Sequence, residues 1–143
     1  MARKSRAVQT FIPVLPRGMT HNDLEPYVFT RGGKQVAGIR KGGRLKSAEA
    51  EIAPYLERAA PESPLSGGIR ERVKYCFLTR DGKHKRGEPM CEPPDLDNMT
   101  KVLNDLCERF GYVADDCQIF DCATVKAWVR DVEGIFVRFE EVV

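Results

Sequence analysis

The sequence predicts a single α+β domain, residues 1–143, in which a mainly antiparallel or mixed sheet packs with two principal helices. Segments near both ends of the chain alternate apolar and polar residues, as strands do. One central segment carries a continuous apolar stripe at helical spacing. Strands and helices follow one another without a regular βαβ rhythm, which disfavours a purely parallel sheet.

The N-terminal third predicts one strand followed by a basic loop. Residues 7–15 alternate, with Val8, Ile12 and Val14 on one side of an extended chain. The next segment, about residues 17–46, has two Gly pairs and only short apolar fragments. We therefore predict a long, mobile, cationic loop there, with room for a short hairpin within it. Its candidate contacts for a polyanion are Arg31, Lys34, Arg40, Lys41, Arg44 and Lys46.

The middle of the chain predicts a helix and a strand. Residues 47–64 have helix-forming composition, with Ser47 as the N-cap and Pro54 as a point where the helix should kink or restart. Residues 69–79 are rich in β-branched and aromatic residues and predict a strand. The polar loop that follows adds three candidate contacts for a polyanion: Lys83, Lys85 and Arg86.

The C-terminal part predicts one helix and two strands. Strands are predicted over about 118–130 and over 134–142, joined by the turn residues DVEG as a hairpin. Gly111 is the predicted end of the helix. The buried side of that helix is defined by six apolar residues at the 3.6-residue period: Met99, Val102, Leu103, Leu106, Cys107 and Phe110.

The composition is that of a soluble protein that stays in the cytoplasm. Apolar residues make up 42% of the chain and charged residues 31%, and no apolar run approaches the roughly 20 residues that a membrane span needs. We therefore expect no membrane partner, and because no apolar stretch of signal-peptide length follows the basic start, we expect the protein to stay in the cytoplasm. The five cysteines show no C-x-x-C spacing, and we expect reduced, buried thiols rather than a zinc site.

Charge is distributed unevenly along the chain. Residues 1–48 carry ten Lys/Arg and two Asp/Glu, residues 49–92 carry eight of each, and residues 93–143 carry five and eleven. The three parts therefore have charges of +8, 0 and −6, which give the net +2. Such a separation suits a protein that binds a polyanion with one part and cations with another, although a solvated surface with a basic tail is the alternative.

The acidic part begins with the segment PPDLDNMTKVLNDL at residues 93–106. The prolines favour an extended chain before the helix, so Asp95 and Asp97 should point to the same side. Lys101 lies one helical turn beyond Asp97 and can share their pocket. One Asp suffices as an N-cap, and a second on the same side adds repulsion unless a cation or hydrogen-bond donors relieve it. The residues alone therefore leave open a divalent metal site or caps and surface charge.

Two more carboxylates return after the helix, at Asp115 and Asp116. The helix, the turn and the next strand form an antiparallel return, so the spacing alone leaves open whether Asp116 meets Asp95. A cluster of three carboxylates without histidine or thiolate would select a hard cation, Mg²⁺ or Mn²⁺. A hard cation beside a lysine and a cationic loop indicates phosphate ester chemistry.

The motif PDLDNMTKVLNDL followed by DDCQI resembles the signature of the RusA-type Holliday junction resolvases, which are common in phages and prophages. The resemblance covers about residues 93–126. It implies that Asp95, Asp97 and Asp116 bind the metal and that Lys101 is the essential catalytic lysine.

The same resemblance implies supporting positions at Asn98, Asp115 and Lys126. It further implies a small RusA-like fold, a homodimer with two sites and Mg²⁺-dependent cutting of four-way junctions and other branched DNA in a bacterial or phage-infected cell, with Mn²⁺ as a second candidate ion. The basic residues of the two loops are then expected to contact DNA.

Two other interpretations stay open. A PD-(D/E)xK nuclease would need an acid two residues before Lys126, where the chain has Thr124. A non-catalytic DNA-binding phage regulatory protein would explain the basic N-terminal part but leaves the acidic residues without a role. Tyr112 and Trp128 are expected in the core rather than stacked on bases.

Overall fold

The protein is described here by a computed structural model that covers residues 3–19 and 24–142. Its two helices, four-stranded mixed sheet and two-stranded sheet confirm the predicted α+β class. The elements in chain order are β1 Ala7–Ile12, β2 Leu24–Arg31, β3 Lys34–Lys41, α1 Gly43–Ala59, β4 Gly68–Leu78, α2 Leu96–Arg109, a 3-10 helix Asp116–Gln118, β5 Ile119–Val129 and β6 Gly134–Val142.

The main sheet has the strand order β1-β6-β4-β5. β6 is antiparallel to both β1 and β4, whereas β5 is parallel to β4. The predicted hairpin of β5 with β6 is therefore wrong, because β4 lies between them. Val73, Tyr75 and Phe77 of β4 are almost completely buried, and a strand of this kind is most stable with a neighbour on each side.

The core lies between the main sheet and the helices, with α1 against β1 and α2 against β5. Tyr112 and Trp128 belong to this core, as predicted. The Tyr112 hydroxyl donates to the Leu56 carbonyl at 2.8 Å, and the Trp128 ring stacks on His84 with centroids 4.5 Å apart. No helix in the described part of the chain is long and apolar enough to cross a membrane.

α1 differs from its prediction at both ends and at Pro54. The helix begins at Gly43 with Gly42 as N-cap, four residues before Ser47, and it ends at Ala59. It continues through Pro54, since the buried side chains of Ile52 and Leu56 anchor the turns on either side of the missing N–H donor.

Most of the predicted basic loop is a β-hairpin. β2 and β3 pair from Leu24↔Lys41 to Arg31↔Lys34, and they pair with no other described strand. Gly32 and Gly33 form the two-residue turn, with φ of 58° and 76°, a conformation that favours glycine. The prediction of a mobile loop is thus wrong for residues 24–41, where the hairpin that the loop was allowed to contain takes up nearly all of it. Residues 20–23 lie outside the described residues.

The cysteines are free, but the expectation that they are buried holds for only two of them. Cys76 and Cys107 are buried, whereas three are exposed: Cys91, Cys117 and Cys122.

Candidate active site

Asp95 stands at the start of α2 in an extended conformation, with φ −70° and ψ 138°. It occupies the N-cap position, yet its carboxylate caps none of the described backbone N–H groups of the helix. The Asn98 amide donates to it at 3.4 Å. The Asp95 carboxylate is exposed and therefore available to a ligand, which weakens the alternative that it serves as a simple cap.

A lysine side chain of β5 binds the backbone of the segment before Asp95. The Lys126 ammonium donates to the carbonyls of Glu92 and Pro94 at 2.7 and 2.8 Å, on either side of the cis peptide bond Pro93–Pro94. Lys126 therefore positions the approach to α2 and faces carbonyl oxygens rather than carboxylates.

α2 has the two sides that its sequence predicts. Five of the six stripe residues are buried, and Phe110 packs partly buried against the same core. The opposite side presents Asp97, Lys101, Asp105 and Glu108 on successive turns. The apolar side fixes the helix on the core, so the charged side has a rigid support.

Lys101 links this charged side to the returning carboxylate. Its ammonium lies 3.2 Å from Asp105 Oδ1 and 3.7 Å from Asp116 Oδ2. The hydrogen bond to Asp105, and to a smaller extent the charge of Asp116, raise the pKa of Lys101. Lys101 is thus a permanent cation at the centre of an acidic surface.

Asp115 holds the turn that presents Asp116. Its carboxylate accepts from the backbone N–H of Cys117 at 2.9 Å, which lowers the pKa of Asp115. The Gln118 side chain accepts in return from the Asp115 N–H at 3.1 Å and donates to the carbonyls of Leu65 and Gly67. This capping box fixes the backbone at Asp116.

The described chain brings one group of three carboxylates close together, and it consists of Glu108, Asp115 and Asp116, whose ligand atoms lie within 4.8 Å of one another. Asp116 therefore meets the later turns of α2, and no such group among the described residues includes Asp95 or Asp97. The antiparallel return explains this, because a chain that reverses after Gly111 passes the end of the helix first.

A buried acid lies beneath α2 and was not predicted as part of the site. Glu71 of β4 is fully buried and accepts from Asn104 of α2 at 3.2 Å and from the Cys122 thiol at 3.1 Å. Burial raises the pKa of Glu71 against the lowering effect of these two hydrogen bonds. The alternation of β4 carries the signal, since Glu71 falls between the inward positions Ile69 and Val73.

The predicted DNA contacts fall in three exposed places. Arg31, Lys34, Arg40 and Lys41 lie on the hairpin, Arg44 and Lys46 in the first turn of α1, and Lys83, Lys85 and Arg86 in the loop before α2. Some of these cations have acidic partners: Arg40 pairs with Glu25 at 2.9 Å, Lys41 with Glu49 at 2.7 Å and Arg86 with Asp131 at 4.0 Å.

Comparison with protein families matches most of the chain. A family model described as Endodeoxyribonuclease RusA matches residues 25–140, which are 116 of the 143 residues. The matched region contains nearly all of the hairpin, both helices, the acidic segment, β4, β5 and most of β6. No curated protein matches the chain.

Proposed function

The chain belongs to the RusA endodeoxyribonuclease family, and we propose that it resolves four-way junctions and other branched DNA by paired phosphodiester nicks. Membership of the family supports the reaction class. The observation that carries the assignment of the site is the Lys101 ammonium, which lies 3.7 Å from Asp116 on the charged side of α2.

The donors near Asp116 suit a hard divalent cation. The carboxylates of Glu108 and Asp115 lie beside Asp116, and this group of described residues contains no histidine or cysteine. Mg²⁺ or Mn²⁺ fits such a donor set. In our proposal Asp95, Asp97 and Asp116 hold the ion, which supplies Lewis-acid charge at the scissile phosphate when bound.

The remaining charged residues have separate tasks in this proposal. Lys101 offsets the negative charge that develops on the phosphate, and its raised pKa keeps it protonated across the neutral range. Asp115 fixes the turn of Asp116, Asn98 steadies the Asp95 carboxylate, and Lys126 holds the approach to the helix.

Paired nicking requires two active centres at once. A homodimer with two-fold symmetry provides them, and the two centres would then face symmetrically related strands of a junction. We therefore propose a homodimer as the active form.

The proposal is tested with purified protein and a synthetic four-way junction, with and without Mg²⁺. We expect symmetric nicks that depend on the ion. Asp97→Asn and Lys101→Ala should abolish cleavage and preserve binding of the junction. A fully active Lys101→Ala protein, or loss of binding together with cleavage, would contradict these roles.

Two sets of carboxylates are candidates for holding the ion, the proposed set of Asp95, Asp97 and Asp116 and the group of Glu108, Asp115 and Asp116. The Glu108→Gln variant decides between them. If Asp95, Asp97 and Asp116 hold the ion, Glu108→Gln stays active while Asp97→Asn does not. If the group that contains Glu108 holds the ion, Glu108→Gln is inactive and Asp97→Asn stays active. Asp116→Asn is inactive in both cases and serves as the common control.

A further inference from the structure

The β2–β3 hairpin carries a stack of aromatic and cationic groups on one of its faces. Tyr27 and Phe29 are two residues apart in β2, and they therefore point to the same side. Their rings are stacked, with centroids 5.5 Å apart and an angle of 20° between the planes. The Arg40 guanidinium lies 5.3 Å from the Tyr27 centroid.

The register orders these groups from the base of the hairpin to its tip. Arg40 pairs across from Glu25, Tyr27 lies across from Gly38, and Phe29 lies across from Val36. Gly38 makes room for the Tyr27 ring, because a Cβ at this position would lie 2.9 Å from the ring. Phe29 is thus the last ring of the stack, and 37% of its surface is exposed.

Two cations follow Phe29 on the same face. Arg31 and Lys34 lie opposite each other beside the Gly32–Gly33 turn, and both are exposed. Arg31 is two residues beyond Phe29, a distance of about 7 Å along a strand. A planar group stacked on Phe29 would therefore have positive charge on its outer side.

We propose that this face binds an unpaired base at the branch point of the DNA, with the base stacked on Phe29 and its flanking phosphates held by Arg31 and Lys34. Base stacking on an aromatic side chain beside cations is the usual way in which proteins hold single-stranded nucleic acid. A fully paired duplex offers no free base face, so the hairpin favours branched over linear DNA. This inference rests on the proposed function and adds the feature of the substrate that the hairpin recognises.

The test measures affinity for a four-way junction and for a linear duplex of the same sequence, by fluorescence anisotropy at several salt concentrations in Ca²⁺ without Mg²⁺. Phe29→Ala should weaken binding of the junction roughly 10-fold and change binding of the duplex little. Phe29→Trp should restore the affinity for the junction. Val28→Ala, on the opposite face of the same strand, should leave both affinities unchanged.

The salt dependence separates stacking from collapse of the hairpin. Phe29→Ala should keep the wild-type slope of log affinity against log salt, whereas Arg31→Ala and Lys34→Ala should each lower the slope by about 1. A Phe29→Ala protein that binds the junction like the wild type, or that loses junction and duplex binding equally, overturns the inference. Failure of Phe29→Trp to restore binding overturns it as well.

Failure of the proposed function gives a different result. A wild-type protein that neither binds nor nicks a junction in Mg²⁺ contradicts the nuclease assignment itself. A wild type that nicks the junction, together with an unaffected Phe29→Ala variant, leaves the nuclease assignment intact and removes only the role of the hairpin.

Discussion

Substitution of Glu71 by Gln should make the stability of the protein less sensitive to pH. In the described part of the chain, only two buried side-chain N/O atoms lack a hydrogen-bond partner, and these are Glu71 Oε2 and Asn104 Oδ1. They belong to a pair that is already joined by the bond from Asn104 Nδ2 to Glu71 Oε1. A proton on Oε2 would supply the donor that Oδ1 lacks, and the acid and the amide would then form two reciprocal hydrogen bonds.

The sign of the effect follows from the direction of the shift. Burial raises the pKa of Glu71 above its ordinary value of 4.5, so the folded protein keeps a proton that the unfolded chain has lost. The contribution of Glu71 to stability is therefore full below pH 4.5 and falls as the pH rises through the raised pKa, by about 1.4 kcal/mol for each pH unit between the two values. The amide introduced by Glu71→Gln would keep both hydrogen bonds at every pH, since it is a permanent donor.

Other ionisable groups near Glu71 do not obscure this effect. The groups that face it are Cys122 on β5, Cys107 on α2 and Tyr75 on β4. Burial raises the pKa of all three, to about 12 for Cys122, and they remain neutral between pH 4 and pH 8. Of these four groups, Glu71 is therefore the one whose raised pKa makes the stability depend on pH above 4.5.

Urea unfolding of the wild type and of Glu71→Gln between pH 4 and pH 8 tests the reasoning. The two proteins should have similar stability at pH 4, and the variant should become the more stable one as the pH rises, by about 1–3 kcal/mol if one unpaired buried group is relieved. A constant difference across the range would refute it. Glu141→Gln is the control of opposite sign, because hydrogen bonds from Ser66 and Arg6 lower the pKa of Glu141 to about 2. That variant should be less stable than the wild type at pH 7, with a difference that narrows only as the pH falls from 4.5 towards 2.

Three further predictions concern packing, positioning and charge. Gly134→Ala should lower the free energy of unfolding by about 1–3 kcal/mol in urea, because a Cβ there would overlap the Ile12 carbonyl of β1; an unchanged value would contradict the close approach. Lys126→Met should reduce cleavage about 10-fold at unchanged junction affinity, because it frees the segment before Asp95; equal losses of both would indicate a binding role instead. Arg44→Ala should lower the salt slope of DNA binding by about 1, and an unchanged slope would place this residue outside the interface.

Patterns within one segment predicted local structure well. α2 follows from a stripe of apolar residues that needs no distant partner, and this stripe is observed. The helix already begins at Leu96, so Asp97 lies in its first turn and the expectation of an extended chain through Asp97 is wrong; Asp95 alone keeps that conformation. Strand pairing depends on residues far apart in the chain, and there the prediction of a β5–β6 hairpin is wrong. The β2–β3 segment predicts mainly a loop because its many cations and short apolar fragments outweigh the Gly-Gly turn signal between two short strands.

The candidate site shows the same division. The positions of Asp95 and Asp97 on one helix end follow from local spacing, whereas the place of Asp116 depends on the turn after Gly111. That turn is set by distant partners, since the Leu65 N–H donates to the Tyr112 carbonyl at 2.9 Å and Gln118 binds the carbonyls of the same segment. No spacing within residues 93–118 encodes these contacts.

The backbone on both sides of the candidate site is held in place, so substitutions of single side chains can show which carboxylates bind the ion. α2 is held by its apolar stripe, by the bond between Thr100 and Tyr75 at 2.9 Å and by Asn104 on Glu71. The turn at Asp116 is held by its capping box. Because the backbones of α2 and of the turn at Asp116 are both anchored, replacing one exposed carboxylate by its amide removes a possible metal ligand and leaves the neighbouring residues in place. Cleavage by Asp97→Asn and by Glu108→Gln therefore reports which oxygen atoms the reaction needs, and not which variant has lost its fold.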